Sequence, residues 1–243
     1  MLFNGFPRIS RFMRDAAGRV PSQCSVCHAW PSQRICNACV ARFAQPAARC
    51  QRCALHVPAG VAICGTCLRS PPSFDACLAA VDYAFPWADM LADFKFRADP
   101  GLARTLSVVL RSTPWVEPAL EAADRLIPVP LSDERLRQRG FNQSALLAHH
   151  LADAKTDTQT LLRLHATETQ SSLPRAQRLR NLLGAFAVEP SRAAALRGQH
   201  VMLLDDVMTT GATAHAATLA LREAGVAQVT VVVLARTAIE GAA

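Results

Sequence analysis

The stretch VMLLDDVMTTGATA, Val201 to Ala214, places two neighbouring carboxylates after four apolar residues and before a loop of hydroxyl groups with one glycine. The four apolar residues predict a buried strand, and the periodic apolar residues beyond the loop predict a helix. A strand that opens through such a loop into a helix is typical of a parallel sheet, where ligands bind at the carboxyl ends of the strands. This stretch therefore predicts both the fold class and the place of the functional site.

The chain beyond residue 72 alternates predicted strands and helices, which indicates an α/β domain with a mainly parallel sheet flanked by helices. Predicted strands cover 78–85, 125–130, 159–164, 201–204 and 229–234, and predicted helices cover 87–97, 100–112, 143–154 and 212–224. The Pro-Pro pair in LRSPPSF, Leu68 to Phe74, can continue neither a helix nor an inner strand. We therefore expect three parts: a basic arm at 1–20, a Cys-rich module at 21–72 and the α/β domain at 73–243.

The loop after the two acids has the composition of a phosphate-binding loop at the N-terminus of a helix, where the peptide dipoles favour an anion. Its residues are Thr209, Thr210, Gly211, Ala212 and Thr213. Asp205 and Asp206 would repel a phosphate, but they suit two neighbouring ribose hydroxyls and can orient a hydrated Mg²⁺. A simple Asp-Asp cap is the alternative, and it would not require the hydroxyl loop. The pattern predicts a sugar phosphate site.

Eight of the nine cysteines form four CxxC pairs, and two such pairs complete a tetrahedral Cys₄ zinc site. The pairs are Cys24/Cys27, Cys36/Cys39, Cys50/Cys53 and Cys64/Cys67. Redox pairs or an iron–sulfur cluster would not explain four pairs so close together, so we expect two structural zinc ions. We favour sequential pairing, in two tandem ribbons, while the spacing leaves interleaved pairing open. The ninth cysteine, Cys77, lies in an apolar run and is expected in the core.

Charge is concentrated in the Cys-rich part, because residues 1–72 contain nine arginines and one acid. Such a module suits a nucleic-acid partner, although surface arginine is equally compatible with mere solubility. No apolar run approaches the ~20 residues that a membrane span needs, and the arginines scattered through residues 1–20 are unlike a signal peptide. We therefore expect a cytoplasmic protein without a membrane span.

The run from Val201 to Thr213 resembles the 5-phosphoribosyl 1-pyrophosphate (PRPP) motif of type I phosphoribosyltransferases, in which two acids end a hydrophobic strand and a Thr-Thr-Gly-x-Thr loop follows. The four CxxC pairs, IPVPLSDERLRQRGFNQS at Ile127–Ser144 and QSSLPRAQRLRNLLGAF at Gln170–Phe186 extend the resemblance. Together they are similar to the ComF family of competence-associated proteins, which combine an N-terminal zinc ribbon with a phosphoribosyltransferase-like domain. One departure follows the first helix, where the family commonly has Lys-Tyr and then a glycine, and this chain has Lys95, Phe96, Arg97 and Ala98.

The resemblance implies roles for individual residues. Asp205 and Asp206 would bind the ribose hydroxyls and form the catalytic pair, and the loop Thr209–Thr213 would bind the 5′-phosphate. Val129, Pro130 and Leu131 would take the place of the pyrophosphate loop, with Arg135, Arg139 and Asn142 just downstream. Gln170, Arg178 and Asn181 match the family pattern in a segment where transferases carry a mobile loop.

Two functions are compatible with this resemblance. The first is an enzyme that binds PRPP with Mg²⁺ and transfers the phosphoribosyl group to an acceptor that the sequence does not identify. The alternative is a non-enzymatic DNA-uptake factor of natural transformation, which binds single-stranded DNA and acts with other proteins of the competence machinery. Product detection with candidate bases, or DNA binding by residues 1–72, would separate the two.

Overall fold

The structure is a computed structural model of the 243-residue chain and describes residues 22–97, 99–164 and 184–238. The chain divides into two compact units, one ending at Arg42 and one beginning at Phe43. This division falls between the two groups of four cysteines, so the second group belongs to the same unit as the sheet. The boundary expected near residue 72 stays a prediction.

The two cysteine segments are built alike. In each, a β-bridge closes the chain after the first CxxC pair, Ser22 with Ser32 and Arg49 with His56. A short helix then carries the last cysteine of each group: α1 (Asn37–Phe43) contains Cys39, and α2 (Gly65–Arg69) contains Cys67.

A four-stranded parallel sheet forms the centre of the second unit, in the order β1-β6-β5-β2. Its strands are β1 (Ala76–Asp82), β2 (Arg125–Pro128), β5 (His200–Met208) and β6 (Gln228–Arg236). Two further strands, β3 (Leu161–Arg163) and β4 (Phe186–Val188), form an antiparallel pair. The mainly parallel sheet predicted from the sequence is confirmed.

Helices pack on both faces of the sheet, which explains why its central strands are apolar along their length. The helices of this unit after α2 are α3 (Trp87–Phe96), α4 (Leu102–Arg111), α5 (Val116–Ala122), α6 (Asp133–Arg139), α7 (Gln143–Ala152), α8 (Pro190–Ala193) and α9 (Ala212–Glu223). Small alanines of α9 let it approach the sheet closely, in one buried cluster with Val201, Leu203 and Val231. Helices α4 and α7 pack against each other, and α7 contacts β2 and β5.

The structure also extends the elements expected from the sequence. Strand β5 runs to Met208, four residues beyond the predicted end at Leu204, because its ladder with β6 continues to the pair Met208–Arg236. Helices α5 and α6 were not predicted, since each has only seven residues and so shows little periodicity. No helix in the described ranges is long and apolar enough to cross a membrane.

Candidate functional site

The two acids lie inside strand β5, near its carboxyl end, and not in the loop beyond it. Asp206 is 8% exposed and Asp205 is partly buried. Asp205 pairs through its backbone with Val233 of the central strand β6, which fixes its position. Two neighbouring carboxylates are therefore held on a rigid inner strand, at the carboxyl ends of the strands, where ligands bind in parallel α/β folds.

Lys95 supplies the counter-charge of the acid pair. Its Nζ lies 2.8 Å from Oδ1 of Asp206, and both side chains are largely buried, at 16% and 11% exposure. Lys95 lies in the last turn of α3, at the point where the sequence departs from the family pattern. Lys95, which matches the family pattern, thus forms an ion pair with Asp206, one of the two acids predicted to bind ribose.

Asp205 is held in an environment that disfavours its charge. Burial and the neighbouring charge of Asp206 raise its pKa from 3.8 to about 7, against the opposing effect of Lys95. The Ser144 Oγ donates a hydrogen bond to Asp205 Oδ1 at 3.1 Å, and the Asp206 backbone N–H donates to the same oxygen at 2.9 Å. Asp205 can therefore take up or release a proton near neutral pH, which is typical of functional carboxylates.

The hydroxyl loop lies directly between β5 and α9. Gly211 has φ +80°, a left-handed conformation that suits glycine, and precedes the first helical residue. Thr210 Oγ1 accepts a hydrogen bond from the Ala212 N–H at 3.3 Å. Thr209 is exposed, and Thr213 is partly exposed. Three hydroxyls and the N-terminus of a 12-residue helix therefore meet beside the acid pair, as the sequence predicts.

The segment after β2 lies beside β5. The Val129 N–H donates to Leu204 O at 2.8 Å, and the Asn142 side chain donates to Val129 O at 3.1 Å. Asn142 also caps α7 by accepting from the Ala145 N–H at 3.1 Å. Asn142 thus positions the Val129–Pro130 segment by its backbone, a role that the resemblance did not specify.

Arg139 brings positive charge to the acid pair. Burial lowers its pKa, and the charges of Asp206 and Asp205 oppose this effect. Its Nη1 donates to Gln143 Oε1 at 3.0 Å, and its guanidinium lies 5.3 Å from the ring centre of Phe96, which is 73% exposed. A fixed guanidinium in this position suits a pyrophosphate or another polyanion.

The structure adds two residues that the sequence reasoning missed. Ser144 contacts Asp205, as described above. The second residue is Arg163 of β3, whose pKa is lowered mainly by burial and also by the charge of Arg135, and raised by the charge of Asp205. Ser144 could have been found, because it directly follows the Arg-Gly-Phe-Asn-Gln run, whereas Arg163 lies far away along the chain and in a strand too short to give a signal. The predicted contacts Gln170, Arg178 and Asn181 lie outside the described residues.

The cysteines form two separate groups of four, Cys24/27/36/39 and Cys50/53/64/67, with the sulfur atoms of each group within 4.8 Å of one another. Sequential pairing is therefore correct, and the interleaved alternative is excluded by the geometry. Sulfur–sulfur distances within the groups include 3.9 Å for Cys24–Cys39, 3.6 Å for Cys27–Cys36 and 3.7 Å for Cys53–Cys64. A tetrahedron with metal–sulfur bonds of ~2.3 Å has edges of about 3.8 Å, whereas a disulfide needs ~2.05 Å. Each group thus has the ligands and spacing of a structural zinc site.

Backbone amides support the thiolates in both groups. The Cys36 N–H donates to Cys24 Sγ at 3.4 Å, and the Cys64 N–H donates to Cys50 Sγ at 3.3 Å. These equivalent bonds stabilise the deprotonated sulfur that a metal requires. Cys77 lies in the sheet, 2% exposed, and burial raises the pKa of its thiol to about 12, which agrees with the expected core position.

The second cysteine group is bonded to the sheet. Arg49 and His56 both contact Asp82 Oδ1 at the carboxyl end of β1, at 2.9 and 2.7 Å. The Cys77 N–H donates to Gln51 O at 2.9 Å. These bonds explain why the second group belongs to the unit of the sheet.

A cavity of about 410 Å³ lies far from the acid pair, at the amino end of β2. Arg125 and Asp157 line it and pair with each other at 2.9 Å, and Arg192 also faces Asp157. Because both arginines already face Asp157, we regard the cavity as a polar surface depression.

Fold and site together define a phosphoribosyltransferase-like domain preceded by Cys₄ groups. The family described as the phosphoribosyl transferase domain matches residues 138–242, which include the acid pair and the hydroxyl loop. Among solved structures, the allosteric regulatory enzyme of purine biosynthesis covers 58% of this chain at 17% identity with a TM-score of 0.36, and the chain covers 29% of it. That likeness is too low to carry an argument.

Three relatives have informative names. The DNA utilization protein YhgH of Salmonella typhimurium is 36% identical over 233 residues, covering 90% of this chain and 98% of the relative. Competence protein F of Haemophilus influenzae is 32% identical and covers 77% and 84%. Competence protein ComFC of Bacillus subtilis is 34% identical and covers 56% and 54%. The chain belongs to the ComF family.

Proposed function

We propose that this protein binds PRPP at the carboxyl edge of its sheet and transfers the phosphoribosyl group to an acceptor. The observation that carries the proposal is the direct succession of an acid pair on β5, a hydroxyl loop and the N-terminus of α9. Asp205 and Asp206 would accept hydrogen bonds from the ribose hydroxyls, and Thr209–Thr213 would surround the 5′-phosphate. Arg139 would face the pyrophosphate.

Catalysis in this proposal rests on position and charge. The bond between the ribose anomeric carbon and the pyrophosphate oxygen breaks, and the acceptor's electron pair forms the new bond while its proton passes to solvent. Positive charge develops on the ribose, and the carboxylates of Asp205 and Asp206 stabilise it, while Arg139 holds the negative charge of the leaving group. No protein nucleophile is required.

Mg²⁺ would neutralise pyrophosphate charge when it is bound. In the described residues, the protein offers only the two neighbouring carboxylates here, and Lys95 already contacts one of them at 2.8 Å. A hard cation takes six oxygen ligands, so most of them would come from PRPP and water. We therefore propose that Mg²⁺ enters with PRPP.

The test is calorimetry with PRPP and Mg²⁺ on the wild type and on the double variant Asp205→Asn/Asp206→Asn. Each charge-assisted bond contributes ~1.5–3 kcal/mol, so the double change should weaken binding at least about a hundredfold. Inorganic phosphate should bind both proteins about equally, because the loop is unchanged. A wild type with no affinity for PRPP at millimolar concentration would overturn the proposal.

A second candidate function is binding of single-stranded DNA without transfer chemistry. It is favoured by the similarity to the DNA utilization protein over nearly that relative's whole length. Arg49 bonds to Asp82 and Arg52 to Phe74 O, while Arg69 on α2 is exposed. We propose that any such DNA contact uses exposed arginines such as Arg69.

This second function predicts strong dependence on salt, with a log–log slope of roughly −0.7 per neutralised phosphate. Arg69→Gln should reduce the magnitude of the slope by about that amount if this arginine contacts a phosphate. Arg97→Gln is the matched control, since Arg97 is also exposed but pairs with Asp93. Fluorescence anisotropy of a labelled oligonucleotide at several salt concentrations measures the slope for both variants. Binding that does not change with salt would exclude this kind of contact.

A further inference from the structure

Arg236 connects the second cysteine group to the hydroxyl loop through one buried guanidinium. It is the last residue of β6 and is 2% exposed. Its Nε donates to Cys53 O at 2.9 Å, and its Nη1 donates to Met208 O at 3.0 Å and also to Thr209 O. One planar group thus holds a CxxC turn and the start of the hydroxyl loop together.

Apolar packing makes the same connection independently of this arginine. Ala54, which follows Cys53, is fully buried in one cluster with Met208 and Ala212. Cys77 Sγ lies 4.0 Å from Met208 Sδ, and the Cys77 N–H donates to Gln51 O between Cys50 and Cys53. The turn that carries two metal ligands and the loop that would bind phosphate therefore share a core.

The first cysteine group lies in the other compact unit, which ends at Arg42. Its sulfur atoms match those of the second group in number and spacing. The chain therefore contains two Cys₄ groups that can be compared, and the second lies in the same unit as the hydroxyl loop.

We propose that metal occupancy of the second cysteine group controls the affinity of the hydroxyl loop for its phosphate ligand, with Arg236 as the positioning residue. In this proposal, zinc at Cys50, Cys53, Cys64 and Cys67 fixes the position of the Cys53 carbonyl. This carbonyl accepts a hydrogen bond from Arg236 and so positions its guanidinium, which in turn donates to the Met208 and Thr209 carbonyls at the start of the hydroxyl loop. The coupling is reciprocal, so a phosphate ligand in the loop retains the second zinc ion more tightly and leaves the first unaffected. This inference depends on the phosphate site of the proposed function.

The direct test measures zinc release from the full-length wild type to a chromogenic chelator, with and without saturating ribose 5-phosphate. We expect two release phases, of which the ligand slows one by at least about fivefold, the lower range of typical allosteric coupling. Cys27→Ser, which removes the first group, should retain the ligand-sensitive phase. Cys64→Ser should lose it.

Arg236→Lys tests the positioning role. Lysine keeps the charge but loses the planar fork that reaches carbonyls on two segments. We expect two zinc ions per chain, no ligand effect on zinc release and about tenfold weaker binding of ribose 5-phosphate, which is near the lower end of what one charged hydrogen bond gives. Arg222→Lys is the matched control, because Arg222 also donates to a backbone carbonyl, that of Val226, and pairs with Asp75 at the amino end of the sheet.

Two results overturn the inference. If calorimetry shows that ribose 5-phosphate binds but neither release phase slows, the phosphate site exists and the coupling does not. If the ligand slows release from the first group instead, the proposed connection is wrong. Absence of any ribose 5-phosphate binding overturns the proposed function and this inference together. The wild-type measurement decides the matter even if Arg236→Lys does not fold.

Discussion

Asp205 is the residue whose chemistry depends most on its surroundings. Its pKa is raised from 3.8 to about 7 by burial and by Asp206. Since the folded state binds this proton more tightly than the unfolded state, the associated stability is present below pH 4 and is lost as pH rises through about 7. At pH 8 the ionised Asp205 side chain therefore destabilises the fold.

Asp205→Asn should stabilise the protein at pH 8 because it removes this buried charge. We expect a gain of about 1–2 kcal/mol at pH 8, or about 2–8 °C in the midpoint of thermal unfolding, and a clearly smaller gain at pH 5, where the folded carboxyl is still protonated. Differential scanning calorimetry at the two pH values measures the difference. Asp93→Asn, at an exposed pair with Arg97, should change neither midpoint. Equal effects of Asp205→Asn at both pH values would contradict the assigned cause.

Lys95→Gln should have the opposite effect. It leaves Asp205 and Asp206 without their nearest cation, and losing one member of a largely buried pair costs about 3 kcal/mol. We expect destabilisation at pH 8 that becomes smaller at pH 5, where Asp205 is protonated. The same calorimetry detects it. A loss that does not vary with pH would show that Lys95 does not stabilise the charge of Asp205 and acts through Asp206 or through packing.

The hydroxyl loop is hydrogen-bonded to the first residue of α9 through Thr210. Thr210→Ala removes the hydroxyl that accepts a hydrogen bond from the Ala212 N–H and that would contact the phosphate in the proposed function. We expect about tenfold weaker binding of ribose 5-phosphate and a stability loss of about 1 kcal/mol. Thr210→Ser keeps the hydroxyl and is the matched control. Calorimetric titration decides the matter, and equal affinity of the alanine and serine variants would exclude the hydroxyl contact.

For helices and strands, the sequence predicts more of the fold than of the site. The parallel sheet follows from the alternation of predicted strands and helices. The order of strand, hydroxyl loop and helix follows from apolar periodicity and the glycine in one continuous stretch. The length of β5 does not, because polar Asp205 and Asp206 interrupt the apolar run while backbone pairing with β6 continues. The contacts of Lys95 and Ser144 with the acid pair depend on tertiary packing, which local patterns do not record.

The whole molecule should contain two zinc ions per chain, because both cysteine groups have the geometry of a tetrahedral site. Elemental analysis should give two for the wild type and one for either Cys27→Ser or Cys64→Ser. Only Cys64→Ser should lower the unfolding midpoint of the sheet unit, by several degrees, since its cysteine group is bonded to β1 and β6. Equal destabilisation by both variants would contradict the division into units. Iron with a visible absorption band would overturn the zinc assignment itself.

The bond between Arg236 and Cys53 also has a consequence for biosynthesis. The two residues are 183 positions apart, so ribosomes working at 5–20 residues per second make the arginine roughly 10–40 s after the cysteine. Strand β1 waits almost as long for its partner β6, because Ala76 pairs with Thr230, 154 positions further along the chain. During this interval the second cysteine group lacks its bond to Arg236. The nascent chain can therefore join this group to β6, and pair β1 in the sheet, only after β6 has been made.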